Sequence, residues 1–234
     1  LQGQGHVDLS TVEFLILDEA DRMLDMGFIH DVKRILALLP SDRQNLLFSA
    51  TMPKTIRSLA DKILNDAHVV ELAHAAPAKR IEHGLYETPQ SRKGALLERV
   101  LASEDCKSAI VFTRTKHRAK RMALQLAKRG RNAIALQGNM SQPQRDKAMS
   151  GFRGGRYDIL VATDIAARGI DVAGVDYVIN FDPPSTPETY THRSGRTGRS
   201  EESGKAVTFV TTEDRDWLRQ TPALTTAALV SDTA

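Results

Sequence analysis

The sequence predicts an α/β protein built on parallel sheets with helices on both faces. Three observations predict it. Its apolar runs are short and unbroken, as in Phe14-Leu15-Ile16-Leu17, which suits strands buried on both faces. Segments with helical spacing separate these runs. Several runs stop abruptly in acids, hydroxyls or small residues, and open α/β sheets bind ligands outside the carboxyl ends of their strands. The first run is the sharpest case, because Asp18, Glu19 and Asp21 follow it at once. Acids placed there can hold Mg²⁺ and orient a water at a nucleotide, or they can offset the dipole of a following helix. That stretch by itself favours neither reading.

In order along the chain, residues 12–18 form the first strand. Apolar residues at 28, 29, 32, 35, 36, 38 and 39 predict a helix stopped by Pro40. Leu46-Leu47-Phe48 is a second strand, leading into Ser49-Ala50-Thr51. Pro53 opens a helix to about Leu64 at a position where its missing N–H costs nothing. Val69-Val70-Glu71-Leu72 reads as a short strand, so residues 1–72 amount to half of a doubly wound sheet. Residues 73–80 are apolar, aperiodic and contain Pro77, which marks a linker. From Ile81 the alternation begins afresh. Strands are predicted at 81–86, 109–112, 133–136, 158–162, 176–180 and 206–210, with helices at about 92–102, 116–129, 142–152 and 188–195. Residues 81–212 form a complete unit of ordinary domain size. The tail, 213–234, turns Thr/Ala-rich beyond Thr221 and reads there as frayed or as a truncated helix.

Composition narrows the class. With 41% hydrophobic and 26% charged residues among 234, the balance is that of a globular protein of one large or two small domains. No apolar run reaches membrane-spanning length. Leu1 to His6 carries no secretion signal and no initiator Met, so the chain is expected to be part of a longer protein. A lone Cys106 cannot form an internal disulfide, which favours a reducing, cytoplasmic setting. Net charge is +3, unevenly spread: residues 1–78 carry 7 Lys+Arg against 11 Asp+Glu, and residues 79–234 carry 25 against 18. A basic second half suits a polyanion, although basic faces are often merely solvated.

Three loops of the second unit follow strands and open helices: Thr113-Arg114-Thr115, Gly138-Asn139-Met140-Ser141 and Thr163-Asp164. Free N–H groups at helix starts bind anions. Parallel strands would bring the three to one sheet edge, in a row fit for successive phosphates. Each residue type is also a good N-cap, which accounts for any one loop but less well for all three. Gln142-Pro143-Gln144-Arg145 puts a cation in the helix after the second loop, for a phosphate or for solvent. Ala167 to Asp171 supplies a glycine turn and an acid able to meet a ribose hydroxyl. In His192 to Arg199, Arg196 and Arg199 share a face if the turn stays helical, and paired guanidiniums suit a transferring phosphoryl group. Bridging of two acidic elements is the competing account. Aromatic residues make up 5%, so base stacking would not dominate recognition.

Asp18-Glu19-Ala20-Asp21, Ser49-Ala50-Thr51, Ile110 to Lys116, Ala162 to Asp171 and His192 to Arg199 resemble motifs II, III, IV, V and VI of DEAD-box ATP-dependent RNA helicases, in order and in register. The Gly138 to Gln142 loop is similar to that of the bacterial RhlE-like branch. The resemblance implies RecA-like sheets: the second half of a first domain, then a complete second domain. It implies ATP and Mg²⁺ as cofactors, and single-stranded and duplex RNA held by the sugar-phosphate backbone, with RNA told from DNA by its 2′-hydroxyl. It assigns Asp18 to Mg²⁺ through water, Glu19 to the attacking water, and Arg196 and Arg199 to the phosphates. Asp21, Ser49, Thr51 and His192 would couple nucleotide state to domain closure, and Gly169 and Asp171 would contact the nucleotide. Thr113, Arg114, Gly138, Asn139, Gln142, Arg145, Thr163 and Asp164 would contact RNA. The full-length protein is expected to be a monomer. Two departures stand out. No Gly-x-x-x-x-Gly-Lys-Ser/Thr occurs, so the phosphate cradle would lie upstream of Leu1; Gln137 and Met140 replace the His and the cation that many relatives carry. The implied activity is ATP-driven local unwinding of RNA. The competing reading is a non-catalytic RNA-binding or protein-docking module, inactive as an ATPase by itself.

Overall fold

The computed structural model describes residues 2–25, 27–71, 81–167, 172, 174–198, 203–219 and 228–231. The chain divides into two compact units, Leu1–Leu72 and Ala73–Ala234. No helix among the described residues is long and apolar enough to cross a membrane.

In the first unit, strands β1 (Phe14–Leu17) and β2 (Gln44–Leu47) pair in parallel, Phe14 against Gln44 through Leu17 against Leu47. Helices α1 (Ala20–Asp25) and α2 (Ile29–Leu36) join them, and α3 (Lys54–Ile63) follows, with Pro53 as its N-cap. Side chains alternate across a strand. Leu15 and Leu17 therefore meet Val32, Leu59 and Ile63 in a small core, while Phe14 and Ile16 face outward, each 61% exposed. The expectation of a first strand buried on both faces is thus corrected, because only one side of this two-stranded sheet is covered. The strand expected at Val69–Leu72 is also corrected: 69–71 is not a strand, Val69 and Val70 are 73% and 70% exposed, and Leu72 lies outside the described residues. A strand exists only through its partner's ladder, and neither β1 nor β2 pairs with this segment. The linker 73–80 lies outside the described residues as well.

The second unit is one parallel sheet. Its strands are β3 (Ile81–Glu87), β4 (Ala109–Phe112), β5 (Ala133–Leu136), β6 (Ile159–Ala162), β7 (Tyr177–Asn180), β8 (Gly204–Val210) and β9 (Ala228–Ser231), in the order β5-β6-β4-β7-β8-β3-β9. Helices α4 (Lys93–Leu101), α5 (Lys116–Lys128), α6 (Gln142–Arg153), α7 (Asp164–Ala167), α8 (Pro187–Ser194) and α9 (Arg215–Arg219) lie between and after them. The sheet's two covered faces account for the unbroken apolar runs. Ala109, Val111, Ile159 and Val161 pack with α4 and α5, whereas Ile110, Phe112, Leu160 and Ala162 pack with α6. Neither face tolerates polar residues there.

Three features differ from expectation. The short helices α7 and α9 have too few residues for a periodic signal. Ala228–Ser231, expected to be frayed or helical, instead pairs in parallel with β3, Gly84 against Ala228 through Glu87 against Ser231. An outer strand presents unpaired N–H and C=O groups, and this apolar segment satisfies them. Cys106 is half-buried, and burial pushes its thiol up to about 12, as suits an inert thiol.

His83 of β3 shares a 2.6 Å hydrogen bond with the buried Tyr190 hydroxyl, and burial holds its pKa below the ordinary 6.5. The unfolded chain takes up a proton near pH 6.5, but the folded chain does so only at lower pH. Stability should therefore be full above 6.5 and should fall as pH drops below it, until the folded His83 itself titrates. Urea-unfolding midpoints measured from roughly pH 8 to 5 should decline on the acid side, and His83→Gln should flatten that part of the decline.

Candidate functional site

In the first unit, β1 delivers Asp18 and Glu19 to the carboxyl end of the sheet. Glu19 has φ +50, a left-handed backbone that side chains rarely adopt, and its N–H donates to Asp18 Oδ1 at 2.8 Å. Such local strain concentrates at functional positions. Asp18 is exposed and Glu19 half-buried. The acids also flank the start of α1, so they can favour its N-terminus as well. Asp21 is buried. Its Oδ2 accepts from the Thr51 N–H at 2.9 Å and the Thr51 hydroxyl at 2.8 Å. Its own N–H donates to Ser49 Oγ at 3.2 Å, and that hydroxyl donates to the Thr51 carbonyl at 2.7 Å. Residues 28 and 30 positions apart in the chain thus form one closed hydrogen-bonded unit.

In the second unit, β5, β6 and β4 are neighbours, so the loops at 138–141, 163–164 and 113–115 stand side by side at one sheet edge. Adjacent strands lie about 5 Å apart, which makes this a continuous rim. Thr115 and Ser141 also do the work of N-caps. Thr115 Oγ1 accepts from the Arg118 N–H at 3.2 Å, and the Ser141 N–H donates to Gln144 Oε1 at 3.0 Å. Gly138 and Asn139 are exposed, with the Asn139 N–H held by Gln137 Oε1 at 2.7 Å and its side-chain oxygen by Lys116 Nζ at 3.0 Å. Gln142, exposed, bonds Asp146 at 2.9 Å, and Arg145 donates to the Ala166 carbonyl at 3.0 Å, tying α6 to α7. Arg114 is exposed, while its N–H donates to Asp182 Oδ2 at 2.8 Å.

Two expected RNA contacts are already engaged inside the protein. Thr113 is wholly buried and its hydroxyl donates to the Thr115 carbonyl at 3.3 Å, so it shapes the loop from inside. Asp164 is taken up by Arg193, whose Nε and Nη2 donate to its two carboxylate oxygens at 2.6 and 2.7 Å. Thr163 is buried at the strand end, and its carbonyl accepts from the Ala167 N–H at 2.9 Å.

Arg193 itself is the residue that sequence reasoning missed. It is 3% exposed, and its Nη1 also donates to Asn180 Oδ1 and the Asp182 carbonyl, each at 2.9 Å. Its guanidinium lies 4.8 Å from the Phe112 ring centroid. One cation therefore joins the ends of β4, β6 and β7 to α8. Asp182, also buried, receives Arg118 Nη1 as well as the Arg114 N–H. The signal was present as a second cation beside His192, but nothing in the spacing says which Arg points inward.

His192 and Arg196 are half-buried. Helix α8 ends at Ser194, so Arg196 lies beyond the helix, and the face expected to join it to Arg199 involves a residue outside the described ones. Gly195 C-caps the helix, and Gly198 turns the chain at φ +66, a conformation that favours glycine. Gly169, Asp171 and Arg199 lie outside the described residues. No group of three or more His, Cys, Asp or Glu able to hold a metal exists among the described residues.

Breaking a buried ion pair costs about 3–5 kcal/mol because a charge is left unpaired. Arg193→Met, which leaves Asp164 uncompensated, should destabilise the second unit by about that amount. Urea denaturation followed by circular dichroism reads it, and a shift within error would refute the hub. Thr51→Val should cost about 1–3 kcal/mol in the first unit by the same measurement, through loss of a hydrogen bond to a buried carboxylate.

The DEAD/DEAH box helicase model matches residues 2–59 and the Helicase conserved C-terminal domain model matches residues 92–201. The DEAD-box ATP-dependent RNA helicase CshA of Bacillus licheniformis is 43% identical over 212 residues, which is 90% of this chain and 44% of that protein. The RNA helicase CrhR of Synechocystis is 46% identical over 213 residues, 90% of this chain and 43% of that protein. The chain thus spans less than half the length of these relatives. Among solved structures, S. cerevisiae Dbp5 bound to RNA and ADP BeF3 superposes with a TM-score of 0.83 at 30% identity, covering 99% of this chain and 62% of that one. The E. coli DEAD-box protein SrmB bound to RraA gives a TM-score of 0.61 at 35% identity, covering 67% of this chain and 92% of that one. The likeness takes in both units and reaches past the motifs into the sheets that carry them: the chain belongs to the DEAD-box family of ATP-dependent RNA helicases.

Proposed function

We infer that this chain is the C-terminal portion of an ATP-dependent RNA helicase that couples ATP hydrolysis to RNA binding and local duplex unwinding. The observation that carries this is the closed unit of Asp21, Ser49 and Thr51 immediately behind the strand-end acids Asp18 and Glu19. It ties the segment able to face a nucleotide to a second loop, so a displacement of either must move the other.

The donor set suits Mg²⁺. That ion keeps several waters and needs only one or two carboxylates besides phosphate oxygens, and here the exposed Asp18 stands without a multi-ligand protein cage among the described residues. Asp18 would hold Mg²⁺ through water, and the ion would supply neutralisation of phosphate charge. Glu19, fixed by its strained backbone, would orient and deprotonate the attacking water. Arg196 and Arg199 would stabilise charge on the phosphates, with His192 relaying the change. Gly169 and Asp171 would meet the nucleotide. On RNA, the rim of Arg114, Gly138, Asn139, Gln142, Arg145 and Thr163 would follow the sugar-phosphate backbone, with Thr113 and Asp164 shaping it from behind. Contacts of this kind position a strand without reading its sequence. The proposal extends to a cytoplasmic, monomeric full-length protein, and the RhlE-like placement rests on the Gly138 to Gln142 loop alone.

The sequence contains no Gly-x-x-x-x-Gly-Lys-Ser/Thr, and this favours a second reading for the 234 residues alone, as an RNA-binding module. Charge stabilisation does nothing for a triphosphate that is not held. Purified alone, the chain should show negligible Mg-ATP turnover while retaining weak RNA binding that falls with added salt. In a full-length protein containing it, RNA should raise ATP hydrolysis, and Glu19→Gln should lower turnover by about 10²-fold or more. RNA-independent hydrolysis that survives Glu19→Gln would overturn the proposal.

A further inference from the structure

A cavity of about 600 Å³ crosses the outer edge of β5. Ala133, Ile134 and Ala135 are successive residues of one strand, so their side chains alternate between the two faces of the sheet. Ala133 and Ala135 pack with the α4 and α5 layer, and Ile134 with the α6 layer. Yet all three line the same cavity. Only a groove running over the sheet's open edge, between α5 and α6, can meet both sets. Among the described residues β5 pairs with β6 alone, so the backbone groups of its other side face this groove.

The lining has two kinds of chemistry. Lys116, Lys120 and Lys147 stand along it, and no carboxylate does. Lys116 reaches Asn139, while the lysines at 120 and 147 make no ion pair among the described residues. The surrounding stretch, residues 114–131, holds eight Lys and Arg and no Asp or Glu. Between the cations lies an aliphatic floor of Leu124, 54% exposed, with Ile134 and Met140. Lysines near a strand edge discourage chance pairing, but that leaves the apolar floor unaccounted for.

We propose that this groove takes an acidic, extended peptide segment of a protein partner, which adds a strand to β5. Main-chain hydrogen bonds to the open edge supply affinity, and alternate side chains supply selectivity. The segment's carboxylates lie against Lys120 and Lys147, and its apolar side chains cover Leu124 and Ile134. Single-stranded RNA fits less well. Its sugar-phosphate backbone, the part of RNA this chain is proposed to hold, offers nothing apolar to cover the aliphatic floor of Leu124, Ile134 and Met140.

The test uses the whole chain and a fluorescein-labelled synthetic peptide of alternating Glu and Val, with a Lys–Val peptide of equal length as control. Anisotropy should show binding of the Glu–Val peptide only. Amide hydrogen exchange at 133–136 should slow by about 10-fold or more on binding, as for a newly paired strand. Lys120→Glu with Lys147→Glu should weaken the Glu–Val peptide by about 10-fold or more and give the Lys–Val peptide measurable binding. Leu124→Glu should weaken the Glu–Val peptide too. All three positions are exposed, and unchanged circular dichroism of the variants keeps the comparison valid. Absence of binding, binding without protection at 133–136, or protection of those amides by oligouridine and not by peptide would each overturn the proposal. None of these outcomes depends on ATP hydrolysis, so the proposal fails or stands apart from the helicase reading.

Discussion

A guanidinium that is 3% exposed must find a partner for nearly every donor it carries, and the second unit is arranged to provide them. Arg193 spends two N–H groups on Asp164 and its remaining amine on Asn180 and the Asp182 carbonyl. Those partners sit at the ends of β6 and β7 and in the segment that follows β7. The rim of loops proposed to follow a polyanion is therefore set from beneath by one cation, whose charge is spent inside the protein. Bidentate pairing makes the arrangement directional as well as strong. Lysine could supply the charge there but not the planar fork.

The first unit solves the same problem with the opposite charge. Asp21 is a buried carboxylate, and the Thr51 N–H and hydroxyl satisfy it. In each unit a strand-end group that could have faced a ligand is turned inward, and it holds the neighbouring groups that do face outward. A second layer of this kind keeps reacting groups in place. It also accounts for why Asp164, an acid beside a proposed phosphate track, does not repel it: its charge is matched by Arg193.

Most strands of the second unit were legible because a parallel sheet covered on both faces forces unbroken apolar runs, and a run such as Ile110-Val111-Phe112 or Leu160-Val161-Ala162 suits little else at that length. The same rule misled at β1, where Phe14 and Ile16 meet no second layer and stay exposed. It misled again at Val69 and Val70, whose β-branched pair has no neighbouring strand to complete among the described residues. The Ala228–Ser231 strand escaped notice because its identity comes from the open edge of β3 and not from its own composition.

Local composition by itself determined the strands covered on both faces and the longer helices of the second unit, and which loops collect hydroxyls, glycines and cations. It did so because burial on two faces and N-capping each leave a short-range mark on the chain. Only the tertiary structure decided that Thr113 and Asp164 point inward, that Arg193 is the buried cation among its neighbours, and that β5 leaves an edge open between α5 and α6. Those outcomes depend on which strand lies beside which, and strand order is set by contacts between residues far apart in the chain.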